Sequence, residues 1–243
     1  MVEGTLCGVD GCTPELSVSP PAKSEKQPST LGIKIISDAI CPWCFIAKRR
    51  FEKAVAKLPD DITVSICWRP FELNPHMPPE GMDRVEYRSR KFGSWERSLS
   101  LDVQVAAVGA QEGLCFRHDL IRRTPNTFRA HRLVWLAERE GVQDAVVEGL
   151  FRAYFAEGRD IGEAAVLADL AAGAGIARGR AGAFLASDEG ADAVAEAELD
   201  ARRRGVSGVP TFFIDGEPVF SGAQRTELMA ARLLAAAGAA RAS

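Results

Sequence analysis

Residues 37–48 read Ser-Asp-Ala-Ile-Cys-Pro-Trp-Cys-Phe-Ile-Ala-Lys, SDAICPWCFIAK. Cys41 and Cys44 stand in a Cys-x-x-Cys spacing that serves half a zinc site, a structural disulfide or a redox pair. The element that carries the motif, and what lies further down the chain, must separate the three. Just before it, 32–36 (GIKII) is a short apolar run suited to a buried strand. Just after it, Ala47, Phe51, Val55 and Leu58 recur at helical spacing, with Lys48, Arg49, Glu52 and Lys53 on the opposite face. Pro59-Asp60-Asp61 ends that helix, and in 61–68 (DITVSICW) Ile62, Val64, Ile66 and Trp68 alternate with Thr63, Ser65 and Cys67 as a strand does. The unit is strand, helix, strand, with the cysteines at the start of the helix.

Working outward, residues 1–31 are rich in Gly, Ser, Pro and Lys without apolar periodicity and read as a flexible tail. From about 82 to 186 there are only helical signals and punctuation. RVEYRSRKFG, LDVQVAAVGAQEG, NTFRAHRLVWLAEREG, QDAVVEGLFRAYFAEG and AAVLADLAAGAG each carry apolar residues at helical spacing and close on Gly, which predicts about five helices. Thr124-Pro125-Asn126-Thr127 is a helix entry with Asn126 or Thr127 as its cap. A further helix spans about 191–204 and ends at Gly205. TFFIDGEPVF then predicts two short strands around Asp215-Gly216, a hairpin signal, before an Ala- and Leu-rich helix over about 224–237. With the helical block removed, the order is β-α-β, helix, β-hairpin, helix. The expected fold is α/β, a thioredoxin fold interrupted by an all-helical insertion. The tail is 1–31, the thioredoxin-like domain 32–76 and 187–243, and the insertion 77–186.

The chemistry of the cysteines follows from their place. Zinc needs four ligands, and Cys7, Cys12, Cys67, Cys115, His76, His118 and His131 supply no second half at metal spacing, so no metal is expected. Six cysteines in 243 residues are too few for a disulfide-dense scaffold. Cys41, following a strand, sits where the amides and dipole of a helix N-terminus stabilise a thiolate. Pro42 suits the first turn, where its missing N–H costs nothing. Cys44, about one turn on, is placed to attack a mixed disulfide at Cys41. Further down, 205–211 (GVSGVPT) stands directly before the hairpin.

Composition limits the partners. A net charge of −3 gives no basic field for nucleic acid or an anionic membrane. No apolar run approaches the roughly 20 residues that span a bilayer. The first residues, MVEGTLCGVDGC, show neither the basic nor the apolar region of a secretory signal, so a cytoplasmic protein is expected. No bound cofactor is expected.

The stretches DAICPWCFIAKRRFE, WRPFELNP, TPNTFRAHRL, FRAYFAEGRDIG and GVPTFFIDGEPVFSGAQ carry a resemblance over about residues 32–236. The chain resembles the DsbA-like thioredoxin superfamily and, within it, the FrnE-type branch of cytosolic oxidoreductases. The resemblance implies a thiol–disulfide oxidoreductase or isomerase with Cys41 nucleophilic, Cys44 resolving and Pro210 cis. Pro42, Trp43, Val209 and Pro210 would meet protein or small-molecule thiol and disulfide substrates. The branch is related to kappa-class glutathione transferases and 2-hydroxychromene-2-carboxylate isomerases, which use glutathione but lack the cysteine pair. They set the alternative activity and leave glutathione open as a reductant or co-substrate. DsbA proper has a histidine between its cysteines where Trp43 stands here, which implies a less oxidising pair.

Other residues have plainer readings. Trp43 is equally a substrate platform and an aromatic cap on the helix. His131 reads as a structural helical histidine rather than a general base, and Asn74 as an Asx-type turn before Pro75. Cys67 and Cys115 read as small apolar fillers. Gly173-Ala174-Gly175 starts like a phosphate loop, but no strand precedes it. Cys7 and Cys12, with two glycines and an aspartate between them, can close a short disulfide ring and stand as an accessory redox pair or as exposed tail cysteines without a role.

Overall fold

The protein was analysed as a computed structural model, which describes residues 29–240. Four strands, β1 (Ser29–Ser37), β2 (Ile62–Pro70), β5 (Thr211–Ile214) and β6 (Glu217–Ser221), form one sheet in the order β2-β1-β5-β6. β3 (Met82–Asp83) and β4 (Arg123–Thr124) form a separate ladder of two residues each. The helices are α1 (Pro42–Val55), α2 (Arg84–Phe92), α3 (Trp95–Gln111), α4 (Phe128–Arg139), α5 (Gln143–Phe155), α6 (Ala164–Gly173), α7 (Arg178–Ala186), α8 (Ala191–Arg203) and α9 (Thr226–Ala240).

β1 runs parallel to β2, so the chain must cross over between them, and α1 is that crossover. β5 pairs with β1 and β6 antiparallel. As a central strand β1 is buried on both faces: Leu31, Ile33 and Ile35 enter the main core, while Ile36 joins a small cluster with Phe71, Ala201, Val206 and Phe213. The turn between β5 and β6 has Asp215 at φ 49° and Gly216 at φ 92°, both left-handed, as a two-residue hairpin turn of matching twist demands. Asp215 also ties the turn back to β1, with its Oδ1 accepting the Gly32 N–H at 2.9 Å.

The block between β2 and α8 departs from the sequence reading in detail. It holds six helices rather than five. α7 (RGRAGAFLA) buries only Ala181, Phe184 and Leu185, too thin a stripe to register as a period. α3 starts at Trp95, where the Ser94 side chain caps it by accepting the Arg97 N–H at 3.1 Å. The β3–β4 pairing adds an extended contact to an otherwise helical block. The tail also ends earlier than expected: Ser29–Leu31 already belong to β1 and pair with Ile62–Val64, because Leu31 is fully buried.

One core serves both parts. It runs from Phe45 and Phe51 of α1 through Leu133 and Leu136 of α4 and Phe151 and Phe155 of α5 to Phe184 of α7. Phe151 is the joint: its ring stacks on Phe45 at 5.1 Å and meets Trp68 of β2 edge-on at 6.4 Å. Polar contacts close the same seam. Buried Lys48 of α1 pairs with Glu52, with Asp144 at 3.0 Å and with Glu148 at 3.3 Å. Gln143 of α5 pairs with the outer edge of β2, accepting the Trp68 N–H at 2.8 Å and donating to the Trp68 carbonyl at 3.1 Å, which covers an exposed strand edge.

Phe151 is 1% exposed, so Phe151→Ala leaves a cavity that neither part of the fold can close, and a loss of about 3–5 kcal/mol is expected in urea unfolding. A loss under about 1 kcal/mol would show that the insertion does not depend on this joint.

Candidate active site

Cys41 is the N-cap of α1 (φ −91°, ψ 111°) and Pro42 occupies the first turn. The turn is closed by two backbone bonds, Cys41 N–H to Asp38 O and Cys44 N–H to Cys41 O, both 3.0 Å. Cys41 makes no side-chain cap hydrogen bond to the first-turn amides. Its Sγ instead lies 3.6 Å from the Val209 carbonyl, as a donor. The Val209–Pro210 bond is cis. Cys41 is 4% and Cys44 1% exposed, and both are free thiols. Burial pushes the Cys44 thiol well above its ordinary pKa, and hydrogen bonding and charge at Cys41 push it further.

Beneath the turn lies a buried carboxylate. Asp38, wholly buried, accepts the Leu73 N–H on Oδ2 at 2.8 Å and the Ile40 N–H on Oδ1 at 3.4 Å. His131 Nε2 of α4 stands 3.5 Å from Oδ1, close enough for charge pairing though too long for a good hydrogen bond. Asp38 thus joins the turn before Cys41, the chain after β2, and the insertion. Behind it Glu198 of α8 accepts the Glu72 N–H at 3.0 Å and an Arg202 N–H at 2.6 Å. Burial opposes charge on His131, but Asp38, with Glu72 and Glu198, outweighs it and raises the imidazole pKa. Burial, offset in part by His131, pushes the Glu72 carboxyl up to about 7. His131 therefore stands as the buried partner of Asp38 from the insertion.

Cys41 opens into a cleft of about 450 Å³ between the sheet domain and α2, α3 and α5. Pro42, Trp43 and Val209 line it with Cys41, and Trp43 is 40% exposed at its mouth. Pro210 lines a neighbouring hollow of about 490 Å³ formed by 204–211, Phe213 and 218–222. The far wall of the cleft carries Arg84, Tyr87, Arg88, Lys91, Asp102, His118 and Tyr154; of these the sequence reading weighed only His118, and only as a metal ligand. An Arg84-x-x-x-Arg88 pair on one helix face was the available signal. Burial, offset in part by Asp102, lowers the His118 pKa to about 4, so it is neutral at pH 7.

Other expectations change. Cys115 is exposed, not a filler. Cys67 is half-buried and donates to Glu138 Oε1 at 3.2 Å, and burial pushes its thiol to about 11. Asn74 closes its turn with its backbone carbonyl, accepting the Met77 N–H at 3.0 Å, while its side chain accepts from Tyr87 Oη and Lys91 Nζ. At the α4 entry Thr127 takes the cap position without a side-chain bond, and Asn126 Oδ1 accepts the Phe128 N–H at 2.9 Å. Cys7 and Cys12 lie outside the described residues. Among the described residues no cluster of His, Cys, Asp and Glu is placed to hold a metal, and no helix is long and apolar enough to cross a membrane.

Comparison with known proteins agrees with this geometry. A model of the DSBA-like thioredoxin domain matches residues 32–234. The crystal structure of a probable DsbA oxidoreductase, SCO1869 from Streptomyces coelicolor, is 35% identical, with a TM-score of 0.79 over 86% of this chain and 90% of that one. The uncharacterised protein YwbO of Bacillus subtilis is 29% identical over 80% of this chain and 91% of its own length. The fold is shared with the cytosolic disulfide reductase DsbM of Pseudomonas aeruginosa, determined with glutathione, at 23% identity and a TM-score of 0.56 over 85% and 96% of the two chains.

The buried cluster makes stability depend on pH. His131 and Glu72 both hold a proton more tightly in the folded chain than in the unfolded one. The His131 contribution is fully present below the ordinary imidazole pKa and is lost as pH rises through its raised folded value. The Glu72 penalty is absent below the ordinary carboxylate pKa and grows as pH rises towards about 7. Stability should therefore fall as pH rises through neutrality, and Glu72→Gln should remove about 2 kcal/mol of the decline between about pH 5 and 7. Urea melts of both proteins across that range check this; an unchanged slope in the variant would contradict it.

Proposed function

The chain belongs to the DSBA-like thioredoxin domain family, and from that premise we propose that it is a thiol–disulfide oxidoreductase using Cys41 as nucleophile and Cys44 as resolving thiol. The observation that carries this reading is the asymmetry of the pair. Both thiols are buried, but Cys41, which caps the helix and faces the Val209 carbonyl, lines the cleft, while Cys44 lies one turn inward and does not.

The asymmetry has a chemical use. An incoming disulfide reaches Cys41 first; its thiolate attacks one sulfur, a new S–S bond forms and the other sulfur leaves as thiolate. Burial and the neighbouring Cys41 keep Cys44 protonated up to that point. Once Cys41 is bound in the mixed disulfide its charge is gone, which removes one cause of the raised Cys44 pKa and frees Cys44 to resolve the intermediate. The Val209 carbonyl beside Cys41 offers a hydrogen-bond acceptor to an extended substrate backbone. A cytosolic setting and glutathione as the reductant complete the reading, in line with the structural neighbour DsbM, a cytosolic disulfide reductase determined with glutathione. The second reading is a glutathione-dependent isomerase or transferase, favoured by a cleft of about 450 Å³ with cationic and apolar walls and opposed by the intact cysteine pair.

Cys44→Ser is expected to accumulate mixed disulfides at Cys41 when incubated with an oxidised peptide, and Cys41→Ser to accumulate few, as read by non-reducing mass spectrometry. Brief alkylation of the reduced protein should label Cys41 before Cys44. Labelling of Cys44 first would reverse the roles.

A further inference from the structure

The wall of the cleft opposite Cys41 is charged in a way the fold does not balance. Arg84 of α2 is 4% exposed, donates to Asp102 Oδ2 at 2.6 Å, and has a buried Nε–H with no partner. Arg88, one turn on, donates to the other Asp102 oxygen at 2.6 Å, to the Ser98 hydroxyl and to the Ser98 carbonyl at 3.2 Å, and lies on the Phe92 ring at 4.8 Å. Lys91 stands at the rim, bonded to Tyr87 Oη at 2.6 Å. The remaining titratable groups facing this wall are His118 and Tyr154, with Cys41 across the cleft. His118 Nδ1, 3.8 Å from Asp102 Oδ1, belongs to a neutral ring, and Tyr154 is held neutral by burial, its pKa pushed up to about 12. One carboxylate therefore faces one buried guanidinium, one partly exposed guanidinium and a rim ammonium. Burying an uncompensated cation and an unpartnered N–H is costly unless a ligand supplies the missing anion. Ile40, Leu73, Leu101, Val105 and Phe155 give the cleft its apolar surface, with Gln104 and Thr124 beside them.

We propose that this cleft binds a small thiol or disulfide bearing a carboxylate on an apolar body of about aromatic size, with the carboxylate held by Arg84 and Arg88 and the sulfur presented to Cys41. The inference rests on the redox reading of Cys41 and Cys44 and narrows its substrate. A planar guanidinium pair suits a carboxylate, and the cavity is too small for a folded segment of protein. In the reaction the Cys41 thiolate bonds to one sulfur of the ligand and expels the other half as thiolate. Cys44 then bonds to Cys41 and expels the first half. Two electrons pass from the protein dithiol to the ligand, and the two dithiol protons end on the two thiol products.

The test separates binding from redox. Para-nitrobenzoate and para-nitrobenzamide, which cannot exchange disulfides, are titrated into the reduced full chain and followed by quenching of tryptophan fluorescence, Trp43 lining the cleft. The carboxylate should bind roughly tenfold more tightly than the amide, and the preference should fade at high salt. Arg88→Gln should abolish the preference and Arg88→Lys restore part of it. Should Arg88→Gln fail to fold, the acid–amide and salt comparisons on the unaltered protein decide alone. Equal binding of acid and amide overturns the proposal, whatever the protein does with disulfides. In parallel, the oxidation of Cys41 is timed with dianionic dithiobis(nitrobenzoate) and with neutral dithiodipyridine. A selective loss of rate with the dianion alone in Arg88→Gln supports the site. A preference for the carboxylate with no oxidation by either disulfide leaves the site standing and removes the redox reading.

Discussion

A parallel pairing of β1 with β2 cannot be closed by a tight turn, so the chain has to cross the sheet through α1. That crossover puts the start of the helix at the edge where β1 ends, and Cys41 is its N-cap. The same sheet brings β5 alongside β1, antiparallel, so that the segment before β5 returns to the same edge with Val209 and Pro210. Cys41 and the Val209 carbonyl meet because two strands flank one central strand, although they are far apart in the chain. The Asp38 carboxylate then fixes the turn by accepting backbone donors from two segments, with His131 of the insertion 3.5 Å away.

The insertion completes the site. The sheet domain alone offers a sulfur at a helix end; α2, α3 and α5 turn that edge into a walled cleft with an aromatic floor and a cationic side. The division of labour matches the packing. Apolar contacts centred on Phe151, with Phe45 and Trp68, hold the insertion against α1 and β2, and the polar contacts of Lys48 and Gln143 fix its register at the seam.

What the sequence revealed was local. The apolar run of β1, the alternation of β2, Pro42 at a helix start and the Asp215-Gly216 turn each depend on neighbours within a few residues, and so does the Cys-x-x-Cys motif. What it concealed depends on contacts between distant segments. Asp38 lies inside the opening stretch, yet nothing nearby shows that its carboxylate is buried against His131. Arg84 and Arg88 look like the polar face of an amphipathic helix; only the folded chain turns them inward onto Asp102. Cys115 was misjudged because a cysteine near a helix end has no periodic partner to tell which way it faces, and it faces out. α7 escaped notice because its glycines and short apolar stripe give no clear period.

The central claim is that Cys41 and Cys44 form a reversible two-electron couple, and their reduction potential tests it most directly. The full chain is equilibrated in glutathione buffers of graded potential, the free thiols are alkylated, and the peptide carrying both cysteines is quantified by mass. The account predicts that Cys41 and Cys44 are lost and recovered together, with a midpoint more negative than the roughly −120 mV of DsbA and less negative than about −300 mV. A pair that stays reduced in the most oxidising buffer, or stays oxidised below about −300 mV as a structural disulfide does, would contradict it.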